Sequence, residues 1–267
     1  TVDFKNSVVK TLTGGVRGLL KANKVTIFDG LAQVNPDKTV TIGSQTIQGH
    51  SIILATGSKV SRINIPGIES PLVLTSDDIL DLREMPKSLA VMGGGVVGIE
   101  LGLVWASYGV DVTVIEMADR IIPAMDEEVS QELQKILTKK GMTIKTNVGV
   151  AEIKESNHQL TLTLTNHESI QVEKALLSIG RVPQMQGLEN LNLEMEGNRI
   201  KVNAYQETSI PGIYAPGDVN GQKMLPHAAY RMGEVAAENA IRAIIAKPTS
   251  NTSQQLFIPI QKLPWLV

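Results

Sequence analysis

No cysteine occurs among the 267 residues of the sequence. This excludes a disulfide scaffold, a thiolate metal site and any nucleophile or redox relay built on sulfur from these residues. Aromatic residues are scarce, at 3%. Neither sign of charge dominates: 25 lysines and arginines stand against 27 acids, for a net charge of −2. With few rings to stack on bases and no cationic surplus to neutralise phosphates, no nucleic-acid partner is expected. Long hydrophobic runs are missing as well. The most apolar stretch, 90–110, is interrupted by Glu100 and does not read as a membrane span. The opening TVDFKNSVVK has no apolar signal-peptide core and begins at Thr1. The expectation is a cytoplasmic chain that lacks its start.

What is present suffices for a core. Apolar residues make up 42% and charged residues 19%, which excludes disorder and suits one large domain or two ordinary ones. The first forty residues read as the end of a helix followed by paired strands. KVTIFDGLAQV and KTVTIG carry alternating β-branched residues, with turns at Gly30 and Asn35-Pro36. HSIILATGS is a short apolar run ending on Gly57, and Ser76-Asp77-Asp78 resembles a helix start. From Ser88 the pattern becomes strand (SLAVMG), helix (GGGVVGIELGLVWASYG), strand (DVTVIE), amphipathic helix (DEEVSQELQKILTKKG) and strand (MTIKTN). That alternation predicts a parallel α/β sheet. AEIKES and QLTLTLTN predict an antiparallel hairpin, ALLSIG, NRIKVN and GIYAPGD further strands, and HAAYRMGEVAAENAIRAII a long helix.

Gly93, Gly95 and Gly98 form G-x-G-x-x-G between a strand and a helix. Such glycines allow a tight turn, close backbone approach to a pyrophosphate and close helix–strand packing, and helix N–H groups then meet the phosphate. The same glycines could also serve packing alone. Glu116 closes the next strand, eighteen residues after Gly98, where a carboxylate accepts hydrogen bonds from an adenosine ribose. It would repel a 2′-phosphate, which favours NAD over NADP. Glu100 suits the helix dipole without any ligand, or lies near the nicotinamide ribose. The ATGS turn (Ala55 to Ser58) and Asp218 in GIYAPGD follow apolar strands at the end where α/β sheets bind ligands, although each alone also reads as an ordinary turn.

Together, LTGGV, ATGS, the IPG loop, GGGVVGIELG, VTVIE, SIGR-x-P, NRIKVN, GIYAPGDV, MLPHAA and GEVAAEN resemble, in order, the flavin- and nicotinamide-dependent disulfide oxidoreductases, above all the dihydrolipoamide dehydrogenases. The resemblance covers roughly 1 to 248. It implies two Rossmann-like domains, with an NAD domain inserted into an FAD domain that is incomplete here. On this pattern 1–82 is an FAD-domain remnant, 83–183 the NAD domain, 184–248 the return of the FAD domain and 249–267 an extra tail. Gly30, Thr56, Gly57, Ser58, Asp218, Met224, Leu225, Pro226 and His227 would line FAD. Gly93, Gly95, Gly98, Glu100, Glu116, Val150 and Gly180 would line NAD. The implied chemistry carries electrons from a dihydrolipoyl thiol pair through a disulfide and FAD to NAD. The implied partners are a second subunit and the lipoyl-bearing acyltransferase of a 2-oxo acid dehydrogenase complex.

The departures are specific. The family's first βαβ unit and its redox cysteine pair have no counterpart in these residues. Pro226 stands where the family usually has alanine, removing a backbone donor, and Pro216 is also unusual. The tail QQLFIPIQKLPWLV, back-translated in another reading frame, gives PAAVYTHPEVAMVG, which is how the family's interface domain begins. The expectation is a frameshifted tail, a divergent tail or cloning scar being the alternative, without the family's catalytic His-Glu pair. As written the chain is expected to be inactive in the thiol step. The alternatives are a non-catalytic nucleotide-binding fragment, or a fragment of a related NADH oxidase or flavin reductase.

Overall fold

Alternation along the Ser88–Met92 strand sets the layers of one compact unit. Leu89 and Val91 face one way and join the core of Val112, Val114, Ile99, Leu137 and Met142. Ala90 and Met92 face the other way, toward Ile153, Leu160, Leu162, Leu164 and Val172. The structure is a computed structural model and describes residues 1–245. By its internal contacts the chain divides into two units, one of 58–182 and one formed by 3–57 together with the chain from Pro183 onward.

The 58–182 unit holds a five-stranded sheet in the order Val73–Leu74, Lys174–Leu177, Ser88–Met92, Asp111–Ile115, Thr143–Lys145. Every neighbouring pair is parallel. One face buries apolar residues of the helices Val96–Ser107 and Glu127–Lys139. The other is covered by an antiparallel sheet of Val150–Ser156, Gln159–Leu164 and Ser169–Val172. The strands are thus buried on both faces, as parallel sheets require. The short helix Ser76–Asp81 is capped one residue earlier than the sequence suggests. Thr75 and Asp78 form a capping box, and the Thr75 hydrogen bonds hold the Asp78 carboxyl below its ordinary range.

Segment 58–82, expected with the first domain, folds with the second. Val73 and Leu74 pair with Ala175 and Leu176, and the amide of Ile153 donates to the Pro66 carbonyl at 2.8 Å. Ser58–Val60 pairs with Arg181–Pro183, and the Ser61 amide donates to the Gly180 carbonyl at 3.0 Å.

In the other unit Val34, Ile52, Leu54, Leu191, Ile200 and Ile213 form the core, and Ile213–Tyr214 pairs in parallel with Ile52–Ile53. The chain opens with the helix Val2–Ala22 and closes its described part with the helix Pro226–Ile245. The expected strand at 24–31 does not form, because among the described residues no strand lies beside it; pairing starts at Ala32–Val34. NRIKVN contributes only Arg199–Ile200. The tail 249–267 lies outside the described residues.

Candidate functional site

The glycines of the turn after Ser88–Met92 differ in why they must be glycine. At Gly93 φ is +110°, and a Cβ would lie 2.3 Å from the Ser178 carbonyl oxygen. A Cβ on Gly98 would lie 2.3 Å from the Gly93 oxygen. Packing alone explains these two. Gly95 has an ordinary φ of −72°, and a Cβ there would meet nothing within 4 Å. Nothing within the fold calls for glycine at this position, whereas a ligand approaching the backbone does.

Gly95 opens the helix Val96–Ser107, which has no side-chain cap, so its leading N–H groups remain available to an anion. Gly95, Val96 and Val97 share a cleft of about 140 Å³ with Leu177, Ser178 and Gly180. Gly180, at φ +106°, also has open space where a Cβ would go. A cradle that two absent side chains leave clear fits a pyrophosphate with its attached sugar.

Glu116 sits on the other side of this turn. Its Oε2 accepts the Gly94 amide at 2.6 Å and its Oε1 accepts the Ala118 amide at 2.8 Å. Its own amide donates to the Lys145 carbonyl at 2.8 Å. The carboxylate is therefore fixed at the carboxyl end of its strand, with lone pairs remaining for ribose hydroxyls. Glu100 is exposed one turn into the helix, and Val150 is half-buried at the start of its strand.

Two residues of this region escaped the sequence reading. Ser178 backs the glycine turn, its Oγ 3.2 Å from a Cβ on Gly98. Arg181 donates from Nε to Ser58 Oγ and from Nη2 to the Ser58 carbonyl, both at 2.7 Å. The signal for both was their place beside Gly180 in SIGR. Ser58, assigned by resemblance to the flavin side, instead turns its polar atoms to Arg181.

The remaining flavin-side residues lie in the other unit. The Thr56 hydroxyl donates to the Gln184 carbonyl at 2.7 Å, and the Gly57 carbonyl accepts the Gln184 amide at 2.9 Å. Gly30 lies against Ile42. Asp218 is half-buried in the turn Gly217–Asn220, whose Gly217 packs on Ala229 of the helix Pro226–Ile245. Met224, Leu225, Pro226 and His227 lead into that helix, and Pro226 is its first residue. There the missing amide hydrogen removes no intrahelical bond, so the proline suits the helix start. Among the described residues no group of three histidines, acids or cysteines could hold a metal, and no helix is long and apolar enough to cross a membrane.

A model of a family described as pyridine nucleotide-disulphide oxidoreductase matches residues 2–233. Dihydrolipoyl dehydrogenase from Acholeplasma laidlawii is 38% identical over 251 residues, covering 92% of this chain and 74% of that one. The enzyme of the same name from Thermus scotoductus is 40% identical over 247 residues, covering 89% and 53%. The structure of the HOCl-induced flavoprotein disulfide reductase RclA from Escherichia coli superposes with a TM-score of 0.83 at 26% identity, covering 89% of this chain and 56% of that one. The chain thus spans three quarters of the first relative and about half of the others.

Proposed function

Because the chain belongs to the pyridine nucleotide-disulphide oxidoreductase family, we propose that its 58–182 unit binds NAD as part of a dihydrolipoyl dehydrogenase. The observation that carries this reading is Gly95, a glycine with no internal reason to be one, at the uncapped start of a helix.

The division of labour follows from the residues. Leading amides of Val96–Ser107 donate to the pyrophosphate, and the helix dipole favours its charge. Glu116 accepts the ribose hydroxyls and repels a 2′-phosphate. When bound, the dinucleotide supplies the nicotinamide ring that accepts hydride. Gly180, in the same cleft as Gly95, leaves room for the nicotinamide half. In the other unit Asp218, with Gly57 and the 224–227 segment, would hold FAD. The parent reaction oxidises dihydrolipoyl groups through a disulfide and FAD. It belongs to a cytoplasmic homodimer served by the lipoyl-bearing acyltransferase of 2-oxo acid dehydrogenase complexes.

These 267 residues contain no cysteine, so they do not themselves supply the attacking thiolate. What they retain is nucleotide recognition. The names of the relatives favour dihydrolipoyl dehydrogenase over an NADH oxidase. Titration calorimetry of the purified chain with NAD and NADP tests the proposal. NAD binding at least tenfold tighter supports it, and no NAD binding overturns it.

A further inference from the structure

We propose that Met117 forms the seat of the adenine ring, its thioether chain providing the apolar face on which the purine stacks beside the ribose held by Glu116. The inference rests on the dinucleotide reading above.

Met117 directly follows Glu116 and is 77% exposed, unusual for a long apolar side chain. Its backbone cannot withdraw it. The Glu116 carbonyl accepts the Val148 amide at 3.1 Å, and the Ala118 carbonyl accepts the Asn147 amide at 2.8 Å. Met117 is thus bracketed on both sides by hydrogen bonds to the turn after Thr143–Lys145. Its side chain lies along Gly149, where a Cβ would come within 3.0 Å of Cγ and 3.2 Å of Sδ. Glycine at 149 therefore gives the methionine room to lie flat. Gly149 is itself fixed, its amide donating to Thr165 Oγ1 at 3.1 Å and its carbonyl accepting the Thr165 amide at 2.9 Å. The half-buried Val150 extends the surface. The result is an apolar shelf on a fixed backbone, one residue from the acid that would hold the adenosine ribose. Adenine is uncharged and flat, and a polarisable sulfur makes favourable contacts with aromatic rings.

Oxidation footprinting of the full chain tests this. Hydrogen peroxide transfers one oxygen atom to the methionine sulfur and leaves as water, and peptide mass spectrometry reads each of the nine methionines separately. Saturating NAD or AMP is expected to slow Met117 oxidation about fivefold or more, whereas nicotinamide mononucleotide, which lacks adenosine, leaves it unchanged. Met85, also exposed, serves as the internal reference. M117A is expected to weaken NAD about three- to tenfold, and M117L much less, since it keeps the apolar shelf. Calorimetry of the unaltered chain separates the two ideas. If that chain binds NAD but Met117 oxidises at the same rate with and without it, or M117A binds as tightly, the adenine seat is overturned and the dinucleotide reading stands. If the unaltered chain does not bind NAD, both fall.

Discussion

Gly94 and Glu116 are 22 residues apart in sequence and joined by a 2.6 Å hydrogen bond from the glycine amide to the carboxylate. The phosphate-approaching turn and the ribose-reading acid are therefore one mechanical object. A change at Glu116 acts on both, because the carboxylate also orients the turn that presents Gly95.

The first test is E116Q. The amide cannot accept from both Gly94 and Ala118 as the carboxylate does, and it removes the repulsion of a 2′-phosphate. NAD affinity is expected to fall about tenfold, some 1.4 kcal/mol, while NADP gains relative to NAD. Calorimetry with both nucleotides gives the ratio, and an unchanged ratio would show that Glu116 does not set it.

Gly95 and Gly98 should behave oppositely when each is replaced by alanine. G98A forces a Cβ against the Gly93 carbonyl and is expected to cost about 1–3 kcal/mol of stability. G95A meets open space and should cost only about 0.5 kcal/mol, the difference between glycine and alanine at a helix start. Yet G95A should weaken NAD at least tenfold. Denaturant melts paired with titrations would reveal a ligand-free role for Gly95 if its affinity were unchanged.

The capping box of Ser76–Asp81 carries a pH signature. The hydroxyl and amide of Thr75 hold the Asp78 carboxyl below its ordinary value of 3.8, so its contribution is complete above that value. It is lost as pH falls through the lowered folded value, where the carboxylate takes up a proton. D78N is expected to cost about 1 kcal/mol at pH 7, with the gap to the parent chain closing as pH falls below 3.8. A constant gap from pH 7 to pH 2.5 in thermal melts would contradict the ionised cap.

For thiol chemistry the expectation is a null result. Disulfide exchange needs an attacking thiolate, and this sequence contains no cysteine. The purified chain should show no dihydrolipoamide-dependent NAD reduction above buffer, whether or not it binds nucleotide. Turnover in a sample free of host enzyme would refute this.

What the sequence showed clearly was local. The strand–glycine turn–helix from Ser88 to Ser107 and the strand ending at Glu116 are each written within a few dozen residues, in apolar periodicity and glycine spacing. What it hid was pairing across a hundred residues. Val73 and Leu74 read as loop because their partners, Ala175 and Leu176, lie far down the chain, so the unit begins at Ser58 rather than near residue 83. The converse error arose at 24–31, where β-branched alternation found no neighbouring strand. At the site, Gly95 was legible by spacing, but its open surroundings were not. Arg181 was hidden because a lone arginine carries no pattern until its fork is seen on Ser58.

The pairing of Ser58–Val60 with Arg181–Pro183 means that the chain enters and leaves the NAD-side unit at one place. A segment whose two ends meet in a single ladder closes like a loop of yarn tied at its base. Its ends could be joined by a short linker and new termini opened elsewhere, as in a circular permutant, without stretching the sheet. For the same reason 58–182 is the natural piece to express alone: cutting there severs two strands that already hold each other and leaves the five-stranded sheet whole.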